Sequence, residues 1–158
     1  IERKTAKLIE VSCLIGGIIG DATVPEMEGL QKFSFYLGKA FQIQDDLLDI
    51  MSCEEVAGKP MGSDIAAKKK TYPTIHFLEH CSPQQKKEFL KIWRKNKISD
   101  SDIQRIKELF ITSQTITTAQ KEVDRLIRQS MNNLEYFQDT EMKHQLKKVV
   151  MKIKERNS

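Results

Sequence analysis

Gln42, Asp45, Asp46 and Asp49 stand at positions i, i+3, i+4 and i+7 of the run Phe41-Gln42-Ile43-Gln44-Asp45-Asp46-Leu47-Leu48-Asp49-Ile50. On a helix of about 3.6 residues per turn these four share one stripe, while Phe41, Leu47, Leu48 and Ile50 leave on other faces. Asp is a poor helix former, and the like-charged pair Asp45/Asp49 destabilises an isolated helix by ~0.2–0.5 kcal/mol. A bound divalent cation compensates for such a stripe. With oxygen ligands only and no His or Cys among them, the set favours Mg²⁺, or Mn²⁺, over zinc. A helix face offering one or two carboxylates suits Mg²⁺ that keeps some waters and completes its shell from a phosphate. The competing reading is a solvated acidic face, but a solvated face does not need Phe41, Leu47, Leu48 and Ile50 packed around it.

The helix that carries the stripe is predicted from about Pro25 to Ile50. Pro25 suits a first helical turn, and Glu26 and Glu28 lie favourably near its positive end. Before it, Glu2 to Ile19 reads as a helix that is apolar all round in its second half, hence buried on most faces. The Gly16-Gly17-Ile18-Ile19-Gly20 run permits close approach of another helix. Residues 51–72 read as a loop, with Gly58, Pro60 and Gly62 followed by Lys68-Lys69-Lys70, and a loop of that length inside a compact domain is usually functional. Tyr72-Pro73 starts a short helix to His80. Ser82-Pro83-Gln84-Gln85 is a capping-box start, and Ser99-Asp100-Ser101-Asp102 opens a further helix. From there, Ile103, Ile106, Leu109, Phe110, Val123, Leu126, Ile127, Leu134 and Phe137 recur at helical spacing. No strand pattern or repeat is present, so the fold is expected to be an all-α helical bundle.

The 158 residues are one domain by size, with 39% hydrophobic and 30% charged residues and a formal charge of only +4. That balance suits anionic small ligands and falls short of the basic stripe of a nucleic-acid binder. The basic run from Lys147 to Arg156 reads as a solvated helix. Cys13, Cys53 and Cys81 are odd in number and lack a CxxC spacing, which points to a reducing compartment and no structural zinc. The longest apolar stretch, Val11 to Gly20, is too short to span a bilayer, and no signal peptide is visible. A cytoplasmic protein with no transmembrane segment is expected.

FQIQDDLLD resembles the second aspartate-rich motif of the trans-prenyl diphosphate synthases, which join allylic diphosphates to isopentenyl diphosphate. Two further strings stand in register with it. Lys4-Thr5-Ala6-Lys7-Leu8 matches the family's Lys-Thr-Ala-x-Leu helix start. Gly58-Lys59-Pro60-Met61-Gly62-Ser63-Asp64-Ile65 with Lys69-Lys70-Thr71-Tyr72-Pro73 matches its Gly-Lys-x-x-Gly-x-Asp-Ile and Gly-Lys-x-Thr-x-Pro loop. The specific match covers residues 1–80. Two positions depart from the pattern: Lys68 stands where the family usually has glycine, a residue that often serves a positive φ, and Tyr72 where it usually has leucine.

The resemblance implies the isoprenoid synthase type of helical bundle, with residues 1–158 as its C-terminal portion. It implies Mg²⁺ held by Asp45 directly, with Asp46 and Asp49 as direct or water-mediated partners. Lys4, Thr5 and Gln42 would bind the same allylic diphosphate, and Lys59 and Lys69 would close over its oxygens. Cations aimed where charge grows on the leaving diphosphate lower the ionisation barrier, and no protein nucleophile is required. The family's first aspartate-rich motif and paired arginines lie upstream of the Lys-Thr helix, so an N-terminal half is expected to be missing and this chain alone to condense nothing. A homodimer is implied, with the Gly16–Gly20 face near the subunit interface. Two other readings are a non-catalytic subunit of the same fold that partners an active chain, and a helical interaction domain. His76-Phe77-Leu78-Glu79-His80 also spells the HxxEH of a zinc peptidase class. It lacks an evident third ligand and falls where the resemblance places an ordinary packing helix.

Overall fold

The computed structural model describes residues 5–51 and 62–155. All regular structure among them is helical: α1 (Lys7–Ile19), α2 (Val24–Met51), α3 (Ser63–Ala66), α4 (Tyr72–His80), α5 (Pro83–Trp93), α6 (Asp100–Thr112), α7 (Thr115–Asn132), a 3₁₀ turn (Asn133–Tyr136) and α8 (Glu141–Glu155). None of these helices is long and apolar enough to cross a membrane. The all-α expectation holds. The chain gathers into two compact units, one reaching to Gln44 and resuming at Lys121, the other running from Asp45 to Gln120.

In the first unit, Phe33, Leu37, Ala40 and Ile43 form the buried stripe of α2, and Val123, Leu126 and Ile127 that of α7, with Leu134, Val150 and Ile153 also buried. The Ser130 hydroxyl donates to the Phe33 carbonyl at 2.9 Å, satisfying a polar group inside this core. At Gly17, a Cβ would lie 2.6 Å from Met27 Sδ and 2.7 Å from Leu30 Cδ1, so this glycine is where α2 comes close to α1. At Gly16 the space is open. The expectation of a helix buried on most faces fails for α1. Leu8, Val11, Ile15 and Ile18 are exposed along one side, with Ile18 at 67%, whereas the helix buries Glu10 and Gly17. An apolar sequence face becomes a buried one only where a neighbour covers it, and no described residue covers this one.

The second unit is centred on Phe77 of α4, fully buried against Phe89 of α5 and Phe110 of α6 at ring-centroid distances of 5.2 and 5.3 Å. Ile50, Ile65, Ile92, Ile98, Ile103, Ile106 and Leu109 complete this core. Burying a side chain such as Phe77 contributes about 1.5–3 kcal/mol. The expected starts are present. Ser82 accepts from the Gln85 N–H and Gln85 returns to the Ser82 N–H, and Ser99 and Asp102 make the same reciprocal pair at α6. Arg105 ties α6 to α5 by donating to Glu88 at 2.5 Å, and it also donates to Glu108 of its own helix at 2.7 Å. Within the span expected to be all loop, Ser63–Ala66 forms one helical turn.

Candidate functional site

Two groups of expected site residues can be placed, one in each unit. In the first, the Thr5 hydroxyl donates to Gln42 Oε1 at 2.7 Å. The close approach behind this bond depends on Gly38, because a Cβ there would lie 2.5 Å from Ala6 Cα. Thr5 thus meets α2 at the first member of the stripe. Lys4, its neighbour, lies outside the described residues, as does Lys59.

In the second unit, the three aspartates have different surroundings. Asp45 is exposed. Asp46 is buried, and its Oδ2 accepts the Tyr72 backbone N–H at 3.0 Å. Asp49 accepts the Ser63 hydroxyl on Oδ1 at 2.6 Å and the Asp64 N–H on Oδ2 at 2.9 Å, while its main-chain carbonyl accepts the Gly62 N–H at 2.8 Å. α3 lacks a side-chain cap of its own, since Gly62 is its N-cap residue. Asp49 supplies that cap from α2, satisfying a helix-start N–H that would otherwise lack a partner. The segment from Gly62 to Tyr72 is therefore fastened to α2 at both ends.

Between these ends, α3 closes in a Schellman arrangement. The Lys68 N–H donates to the Ile65 carbonyl and the Lys69 N–H to the Asp64 carbonyl, both at 2.9 Å. This motif demands a left-handed residue, and Lys68 takes it at φ +51°. The lysine has thus kept the backbone conformation for which the family's glycine suits the position, and its ammonium donates to the Lys95 carbonyl. The Lys69 ammonium pairs with the Asp64 carboxylate. That hydrogen bond and charge, followed by the charges of Asp49 and Asp46, raise the Lys69 pKa above its ordinary value.

Asp64, Ser63 and the Tyr72 N–H are the parts of this arrangement that sequence reasoning missed. The Gly62-Ser63-Asp64 string was a signal for a helix start, but the acceptor that makes it one stands on another element. Among the described residues, no three His, Cys, Asp or Glu side chains gather closely enough to enclose a cation. The donor set still fits Mg²⁺ shared with a diphosphate, because the exposed Asp45 offers a hard oxygen and the ligand brings others. At the HxxEH string, His76 and His80 stack face to face, 4.3 Å between centroids and 18° between planes. Nitrogen lone pairs lie in the ring planes, so stacked rings do not converge on one metal. Burial, then the charge of His80, lowers the His76 pKa.

Comparison with known proteins gives the family and the fold. A family model described as polyprenyl synthetase matches residues 1–110. The chain is 38% identical over 109 residues to the short chain isoprenyl diphosphate synthase of Methanocaldococcus jannaschii, covering 69% of this chain and 33% of that protein. It is 46% identical over 78 residues to the farnesyl diphosphate synthase of Bacillus subtilis, covering 49% of this chain and 26% of that one. The crystal structure of geranylgeranyl pyrophosphate synthetase from Pyrococcus horikoshii superposes with a TM-score of 0.89 at 33% identity, over 97% of this chain and 46% of that chain. This chain thus spans a third or less of those two curated relatives and under half of that solved one. On the match to residues 1–110, the chain belongs to the polyprenyl synthetase family.

Proposed function

We propose that this chain supplies the second aspartate-rich motif and diphosphate-binding lysines of a trans-prenyltransferase that condenses an allylic diphosphate with isopentenyl diphosphate. The observation that carries the reading is the double fastening of the Gly62–Tyr72 segment to Asp49 and Asp46, which seats Asp64, the partner of the Lys69 ammonium, on Asp49 of α2. Asp45, with Asp46 and Asp49 directly or through water, would hold Mg²⁺ or Mn²⁺. When bound, that ion offsets the negative charge of the diphosphate and favours its departure. Lys69 meets the same oxygens, and Lys4 and Lys59 are assigned this task by the family motif. Thr5 and Gln42, already hydrogen-bonded to each other, orient the diphosphate. The allylic C–O bond breaks with its electron pair leaving on diphosphate, the double bond of isopentenyl diphosphate attacks the resulting cation, and the tertiary cation so formed loses a proton to the released diphosphate, leaving the new double bond.

The protein is read as a cytoplasmic homodimer. The exposed apolar side of α1 is consistent with a surface covered in the assembled protein, and Cys13 and Cys81 are free thiols. Asp45→Ala is the direct test of the site. It is expected to weaken Mg²⁺-dependent binding of inorganic pyrophosphate at least about tenfold, measured by calorimetry. Unchanged binding would refute the assignment and favour a helical interaction domain.

A further inference from the structure

Three consecutive lysines follow α3, and the structure gives two of them different surroundings. Lys68 turns to the Lys95 carbonyl. Lys69 is tied twice to one residue, its main-chain N–H to the Asp64 carbonyl and its ammonium to the Asp64 carboxylate. The Asp64 side chain is only 18% exposed whereas that of Lys69 is 61% exposed, so the carboxylate is the fixed member and the ammonium remains open to a ligand. Asp64 is itself seated, through its N–H, on Asp49. A chain of contacts therefore runs from the aspartate stripe through Asp64 to Lys69.

We infer that Asp64 is a positioning residue for Lys69: it holds the ammonium at the rim of the aspartate stripe so that the terminal oxygens of a diphosphate meet an already ordered cation. The inference rests on the proposed diphosphate role of Lys69 and adds a residue to it. A lysine is a compact point charge on a flexible stem, and a stem ordered beforehand leaves less entropy to be lost when the ligand arrives. The opposite relation, in which Asp64 competes with the ligand for Lys69, makes the contrary prediction for the same variant.

The experiment is a double-mutant cycle on the whole protein, with Mg²⁺ and inorganic pyrophosphate as the probe. Lys69→Met and Asp64→Asn are each expected to weaken pyrophosphate binding about tenfold. The double variant should be no weaker than Lys69→Met, since Asp64 acts through Lys69. Asp64→Glu should recover most of the affinity. Acetic anhydride labelling read by mass spectrometry supplies a ligand-free signature: Asp64→Asn should raise acetylation of Lys69 while Lys68 and Lys70 keep their wild-type extents. Four results overturn the inference. Wild-type or tighter binding by Asp64→Asn does so, as do additive losses in the cycle. A joint rise in labelling of all three lysines assigns Asp64 to the turn itself. Unchanged binding by Lys69→Met removes the diphosphate role of Lys69 and this inference with it, whereas loss in Lys69→Met but not in Asp64→Asn removes the inference alone.

Discussion

Replacing Gly62 by alanine tests whether the turn that carries Lys69 is built as described. Gly62 has φ +75°, a left-handed conformation that disfavours a side chain by about 1–2 kcal/mol. The backbone cannot readily rotate away from it, because the Gly62 N–H is held by the Asp49 carbonyl and its own carbonyl accepts the Ala66 N–H at 2.9 Å. A Cβ would also fall 2.4 Å from Ile103 Cγ2. Ile103 belongs to the core of the second unit, so relieving that overlap means moving packed atoms, at about 1–3 kcal/mol. Together Gly62→Ala should cost about 2–5 kcal/mol in urea unfolding. Ile103→Ala removes the colliding Cγ2, and the atom then nearest, Ile103 Cβ, is at an ordinary 3.7 Å. In that background the same glycine substitution should cost only the conformational part, about 1–2 kcal/mol. The two substitutions should therefore couple by roughly 1–3 kcal/mol. Additivity within about 0.5 kcal/mol would refute the contact, and a cost below about 1 kcal/mol for Gly62→Ala alone would refute the left-handed turn.

Lys68→Gly should stabilise the protein by about 0.5 kcal/mol, because relief of the left-handed strain at φ +51° outweighs the greater freedom of glycine in the unfolded chain and the loss of an exposed bond to Lys95; a lower urea midpoint would contradict this. Asp102 is held at a pKa of about 2 by Lys95, then by the Ser99 N–H and hydroxyl. Its folded pKa is depressed, so its contribution is complete above the ordinary carboxylate range and disappears as pH falls from near 4 through about 2. Stability measured across that window should fall less in Asp102→Asn than in the wild type, and identical slopes would remove Asp102 from the account.

The parts of the fold legible in the sequence were those whose cause is local. Ser82, Pro83 and Gln85 specify the start of α5 within four consecutive residues, and Ser99 with Asp102 does the same for α6, so both were readable before any tertiary contact was known. The long helix expected over 25–50 runs over Val24–Met51, its start supported by the Thr23 N–H and hydroxyl donating to Glu26 at 2.8 and 2.6 Å. The turn at Ser63–Ala66 was not legible, because its cap acceptor is Asp49, fourteen positions upstream of Ser63. For the same reason the sequence set Asp45 apart as the direct ligand but gave no sign that Asp46 and Asp49 serve the neighbouring segment while Asp45 faces solvent. Lys68 is a mixed case: departure from glycine raised the question of a positive φ, and the left-handed backbone proved to be retained.

The fastening of Asp49 to Ser63 and Asp64 changes how an alanine scan of the stripe should be interpreted. Asp45→Ala removes an exposed carboxylate. Asp49→Ala removes a carboxylate and at the same time uncaps the turn on which Lys69 is mounted. A lost function there would be compatible with intact metal chemistry and a displaced lysine. Asp49→Asn separates the two, since an amide oxygen can still accept one of the two bonds while carrying no charge. In a scaffold where one side chain serves both structure and chemistry, sensitivity to mutation does not identify a ligand.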